Sequence, residues 1–323
     1  MMNKERKRRR FGRRHVVLVA LLLYAAFALS GCKPLVPEDH SLNLYATFYP
    51  VYALADALVR EVPDVELHCL VQPQDGCLRS YQLSDWDLRL LKASASAVLM
   101  GGRGLEDFES TLFGLGENGP AVSAVLYNLP LFNPAKSHAN GEGESHLTGA
   151  NPHLYLSLEG AKQMLNSLSA ALMSLDPGYS DRYVDNEREA ELAIETLFDQ
   201  CRTMLAEYAG ARVVLMNEAL IYVAQDYDLE VADWVDRESG TAFYDVELER
   251  CLERLAKSGT KIILIEKQAP QSFCEALEKA GYTLARLDVF STHREGEGFE
   301  AYLDAQRENA EALRAALQLG EET

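Results

Sequence analysis

Leu42-Asn43-Leu44-Tyr45-Ala46-Thr47 and the residues behind it as far as Met100 decide the fold. The first six residues read as a strand. Residues 50–62 then read as a helix, with Leu54, Ala57, Leu58 and Val62 at helical spacing, and 65–71 as a second strand. Ser84, with Asp87 three residues on, has the spacing of a capping box, and Leu88, Leu90 and Leu91 give the helix behind it a buried side. Residues 97–100 form a third strand, and Gly101-Gly102-Arg103-Gly104 a turn after it. Strand, helix, strand, helix at this spacing is the pattern of a parallel sheet with crossover helices.

A second block of the same kind lies further on. Strands are expected at 212–216, 261–265 and 283–287, with helices at 218–226, 271–280 and 299–319. Between the blocks, 158–175 reads as a helix ended by Asp176-Pro177-Gly178. Residues 180–208 then run without Gly or Pro, and as one helix would be about 43 Å long, more than one small lobe needs. The expected architecture is therefore α/β: two lobes, each with a small mostly parallel sheet flanked by helices, joined by one long spine helix, with a ligand cleft between them. The boundaries are 42–178 for the N-terminal lobe, 179–209 for the spine and 210–323 for the C-terminal lobe.

The segment ahead of residue 42 is of another kind. Residues 4–14 carry eight Lys/Arg and one Glu, and 16–29 are a run of apolar residues too short to span a membrane comfortably. The run ends in Leu29-Ser30-Gly31-Cys32, which resembles a bacterial lipobox. That resemblance implies a signal peptide at 1–31, lipid on Cys32, a tether at 32–41, and an extracytoplasmic protein anchored to the bacterial cell membrane. Eight of the 31 basic and one of the 49 acidic side chains lie in residues 1–31, so the remainder has a formal charge near −25. Such an acidic chain is a poor binder of nucleic acid, which needs clustered Lys/Arg. Of Cys69, Cys77, Cys201, Cys251 and Cys274, none forms a C-x-x-C pair. Cys69 and Cys77 bracket a short loop with Pro73 and Gly76 and are the first candidates for a disulfide.

The chemistry points to Ala150-Asn151-Pro152-His153-Leu154-Tyr155-Leu156, between a polar segment holding His138 and His146 and the helix start at Ser157. A histidine fixed after a proline at a loop mouth is placed to face a cleft. Catalytic and nucleotide motifs are missing: no G-x-x-x-x-G-K-[ST], no H-E-x-x-H, no G-x-S-x-G, and no nucleophile–base spacing. No enzyme and no organic cofactor are expected.

Four places resemble the zinc- and manganese-type solute-binding lipoproteins of bacterial ABC importers: Ala46-Thr47-Phe48-Tyr49-Pro50; Gly102 to Phe108, similar to N-G-x-G-L-E-x-F/W; Asn151 to Leu156, similar to D-P-H-x-W-L; and Tyr302-Leu303 with Arg307-Glu308-Asn309, Ala312-Leu313 and Leu317 in the closing helix. The resemblance implies a monomer that captures zinc or manganese and delivers it to a membrane permease. It also implies four ligand positions, which fall here on Arg79, His153, Asn217 and Asp288. Glu266 resembles the glutamate of the family's E-P-Q turn. Arg79 has no lone pair and brings a fixed positive charge, and Asn217 offers only a neutral amide oxygen. Three readings are open. Metal is the cargo, with Glu218, Glu266, Tyr81 or Cys77 as substitute donors. Or Arg79 binds an anionic or chelated ligand. Or the cleft is closed by Arg79 on Asp288 or Glu218, in a surface or adhesion protein.

Overall fold

The computed structural model describes residues 41–71, 78, 81–133, 150–235, 237, 240–290 and 298–321. The expected signal peptide, Cys32, Cys77, Arg79, His138 and His146 lie outside them, and so does the Cys69–Cys77 pairing.

The first block is a sheet of β1 (Leu42–Ala46), β2 (Val65–Cys69), β3 (Ala97–Met100) and β4 (Ala121–Ala124), ordered β2-β1-β3-β4 with every pair parallel. Its helices are α1 (Tyr49–Val59), α2 (Asp85–Ser94) and α3 (Glu109–Gly116). The expected capping box opens α2: Asp87 N donates to Ser84 Oγ at 3.2 Å, and Ser84 N to Asp87 Oδ2 at 2.7 Å. After α4 (Leu158–Leu175) and α5 (Ser180–Leu205) comes the second sheet, of β5 (Arg212–Leu215), β6 (Glu230–Trp234), β7 (Ile262–Glu266) and β8 (Thr283–Leu287). Its order, β6-β5-β7-β8, repeats that of the first, again all parallel. The helices here are α6 (Ile221–Asp226), α7 (Asp245–Lys257), α8 (Gln271–Lys279) and α9 (Phe299–Glu321). Strands β3 and β7 are buried throughout, as strands covered on both faces must be.

Two long helices tie the sheets together. α5 packs on α1, α4 and α9, and α9 reaches from α1 to β7 and β8. α5 is 26 residues, roughly 39 Å, and a 3₁₀ turn (Ala206–Tyr208) continues it directly, so the long apolar-striped run of the sequence is one rod. Four elements beyond those expected from the sequence are present. β4 and β6 are short and only partly buried, and α3 and α7 fill the crossovers to β4 and β7.

Strand order 2-1-3-4 reverses direction between the first and third strands, and in such sheets ligands sit at the carboxyl ends beside that switch. In the first sheet those ends lead into Thr47-Phe48-Tyr49 and Gly101-Gly102; in the second they are Met216-Asn217-Glu218 and Glu266. The strand ends of the two sheets face each other. Phe290, after β8, lies tilted against Tyr49, after β1, with ring centroids 6.3 Å apart.

Candidate metal centre

Residues 151–156 sit where the two switch points meet. His153 precedes a 3₁₀ turn (Leu154–Leu156), and Ser157 then caps α4, its Oγ accepting from Gly160 N at 2.9 Å. The turn is held from the second lobe. Tyr302 Oη donates to Tyr155 O at 2.6 Å and Gln306 Nε2 to the same oxygen at 3.2 Å. The Tyr155 ring meets Phe48 at 5.3 Å, Phe290 at 6.5 Å and His153 at 5.9 Å.

His153 is partly buried, and Asn151 beside it is almost fully so. His153 N donates to Asn151 Oδ1 at 3.0 Å, and His153 Nδ1 lies 2.8 Å from the same oxygen. Asn151 Nδ2 donates to Glu218 O at 2.9 Å, which brings the Glu218 turn of the second lobe against the histidine stretch. Tyr222 completes the junction: its hydroxyl donates to Asn151 O at 2.7 Å and accepts from Phe132 N at 3.0 Å. Burial pushes that hydroxyl up to about 12, so it stays protonated and serves both bonds.

Asp288 is buried after β8. Its Oδ1 accepts from Phe290 N at 2.8 Å, closing a turn in which Phe290 has φ 54. Asn309 of α9 brackets the same residue: Oδ1 accepts from Asp288 N at 2.7 Å, and Nδ2 donates to Asp288 O at 2.9 Å. His153 and Asp288 thus lie on turns that share one aromatic cluster, each two residues from a member, Tyr155 or Phe290.

The other expected positions behave differently. Asn217 is the N-cap of the 3₁₀ turn Glu218–Leu220, its Oδ1 accepting from Ala219 N at 2.9 Å, so its amide oxygen already has a structural use. Tyr81 Oη donates to Asp87 Oδ2 at 3.1 Å, and its ring stands edge-on to Phe108 at 5.7 Å. Glu266 is corrected from substitute donor to ion-pair partner. It is fully buried, takes Arg237 Nη2 at 2.5 and 2.6 Å and Gly240 N at 2.9 Å, and the guanidinium lies 5.2 Å over the Phe273 ring. A carboxylate spent in this way has little left for a cation. Among the described residues, no three His, Cys, Asp or Glu side chains are grouped to hold a metal ion.

Sequence reasoning passed over Asn151, Tyr222 and Glu106. Glu106 occupies the switch point of the first sheet, where it accepts from Thr47 Oγ1 at 2.7 Å and from Gly101 N and Gly102 N at 2.8 Å. Burial raises its carboxyl above the ordinary range, and these three donors oppose the rise. It holds the turn in which Gly102, Arg103 and Gly104 all take positive φ; a Cβ on Gly102 would lie 2.9 Å from Ala124 Cβ. Cys201, Cys251 and Cys274 are buried free thiols. Burial pushes the Cys69 thiol up to about 12, and its Sγ donates to Val71 O at 3.4 Å.

Two all-parallel sheets of one strand order, bridged by long helices and meeting at their strand ends, define a two-lobe α/β solute-binding protein. The chain belongs to the ZnuA family, described as zinc-uptake complex component A, periplasmic, whose model it matches over residues 44–316. That is a family of solute-binding proteins, not of enzymes. The chain is 22% identical over 317 residues to the high-affinity zinc uptake system protein ZnuA of Bacillus subtilis, covering 94% of this chain and 96% of that one. A Treponema pallidum relative is 26% identical over 147 residues, and the match spans only 45% of that relative's length. Among solved structures, the solute-binding protein FpvC of Pseudomonas aeruginosa in complex with Mn2+ superposes with a TM-score of 0.74 at 22% identity, over 87% of this chain and 99% of that one. The Zn(II)-bound ZnuA-like domain of Streptococcus pneumoniae AdcA gives 0.70 at 19%, over 86% and 99%. No helix among the described residues is long and apolar enough to cross a membrane.

Proposed function

We propose that this chain captures a divalent cation where its lobes meet and hands it to the membrane permease of an ABC importer. Lipid on Cys32 would hold it, as a monomer, at the outer face of the cell membrane. Residues 42–178 and 210–323 are its lobes, and 179–209 its spine. The observation that carries the reading is the shared aromatic cluster, which brings the His153 turn of one lobe to the Asp288 turn of the other. An imidazole nitrogen and a carboxylate are donors for zinc and for manganese. The metal-bound structural relatives favour the same cargo class, since FpvC is described with Mn2+ and AdcA with Zn(II). Elemental analysis of the purified protein after incubation with zinc or manganese tests it. One bound equivalent is expected, and only trace metal would sink the reading.

A second reading rests on Asn217, whose oxygen is already given to Ala219 N, and on the positive charge of Arg79. The ligand would then be a small anion, or a metal carried by an anionic chelator. Anions would raise the melting temperature and bare metal would leave it unchanged.

A further inference from the structure

Asn151 is only 1% exposed, and its side chain is used at both ends. Its oxygen faces His153 N at 3.0 Å and His153 Nδ1 at 2.8 Å; its nitrogen faces Glu218 O at 2.9 Å. The two ends fix each other. Turning the amide over would set its NH2 against the His153 backbone N–H and its oxygen against the Glu218 carbonyl, two clashes of like polarity. An amide oxygen can only accept, so the ring nitrogen facing it must donate. We propose that Asn151 is the positioning residue of the cation site: its oxygen holds His153 as the tautomer protonated at Nδ1, leaving the Nε2 lone pair for the cation, while its NH2 ties that ring to the Glu218 turn of the other lobe.

The residue type fits this double task. An aspartate would serve both bonds to His153 but would set an anion against the Glu218 carbonyl. An alanine would serve neither end. Ligand histidines in metal sites depend on such a partner at the second nitrogen, which fixes the tautomer and the ring plane. Here that partner also spans the lobes, so a cation pulling on His153 would pull on Glu218 through one amide. This inference rests on the metal reading for what Nε2 binds; the tautomer does not depend on it.

The test is nuclear magnetic resonance of the 15N-labelled protein without metal, reading the ring nitrogens of His153 in the wild type, Asn151→Asp and Asn151→Ala. The Nδ1–H form is expected in the wild type and Asn151→Asp, and its loss or mixing in Asn151→Ala. Titration with zinc and manganese ions should then show Asn151→Ala weakened on the order of 10- to 100-fold, and Asn151→Asp less so. A wild type protonated at Nε2, or an Asn151→Ala that keeps the Nδ1–H form, would overturn the proposal. The wild-type spectrum decides even where a variant fails to fold. His153→Ala with unchanged metal affinity would instead overturn the metal reading and the cation role of Nε2, leaving the tautomer result to stand or fall by itself.

Discussion

Asp226 of the second lobe caps the helix that begins at Ser157 in the first: it accepts from Ser157 Oγ and from Leu158 N, both at 2.7 Å. The aspartate is buried, and burial raises its carboxyl to about 6 despite the two donors. The folded state therefore holds this proton more tightly than the unfolded chain does. The contribution is largest below the unfolded value of about 3.9 and is lost as pH rises from there through about 6. It amounts to ~3 kcal/mol. Chemical denaturation of wild type beside Asp226→Asn should show their stability difference shifting toward the variant from about pH 4 to about pH 7 and levelling off above. A difference independent of pH would show that the aspartate is not strained in this way.

Gly160 sits one turn into the same helix, and a Cβ there would lie 2.4 Å from Leu154 O. On an open helix, Gly→Ala would stabilise by up to ~1 kcal/mol. Here the overlap is with backbone of the turn that carries His153, and overpacking of this kind costs ~1–3 kcal/mol. The clash should win, lowering the melting temperature by a few degrees. A raised melting temperature would mean that the turn yields easily, and with it the placement of His153.

Arg237 and Glu266 are both fully buried, so removing one strands the other's charge. Arg237→Ala should cost ~3–5 kcal/mol, and Arg237→Met with Glu266→Leu much less. Equal losses in the single and double variants, measured by denaturation, would count against a self-contained pair. They would restore Glu266 as a candidate donor.

Much of the fold is legible in the sequence because the chain's apolar pattern carries it. The buried runs of β3 and β7, the Ser84–Asp87 box and the unbroken stretch 180–208 each have a local physical signature. β4 and β6 have none, since partly exposed edge strands such as Glu230-Val231-Ala232-Asp233-Trp234 show no apolar run. α7 does carry a signal, in the helical spacing of Leu248, Cys251, Leu252 and Leu255, but its mostly charged composition masks it. At the site, His153 and Asp288 stand out as donor types in recognisable surroundings. Asn151 and Tyr222 do not, because the bonds by which they join the lobes run to residues about 70 positions away, which sequence spacing does not report, and an amide two residues before a histidine has no spacing signature of its own.

Arg79 and Asn217 stand where the family resemblance implies ligands. Arg79→His with Asn217→His should raise zinc affinity by orders of magnitude if the lobes present a metal-type geometry. Losing the Asn217 cap should cost ~1 kcal/mol of stability. Unchanged zinc affinity in a folded double variant would show that these positions do not face the bound ligand.

The most direct measurement is calorimetric titration of zinc and manganese ions into the wild type, His153→Ala and Asp288→Ala. One site is expected in the wild type, with a loss of affinity of at least ~10-fold in each variant, since the proposed site takes one direct donor from each residue. Wild-type affinity retained in both variants would contradict a cation site built on these two turns.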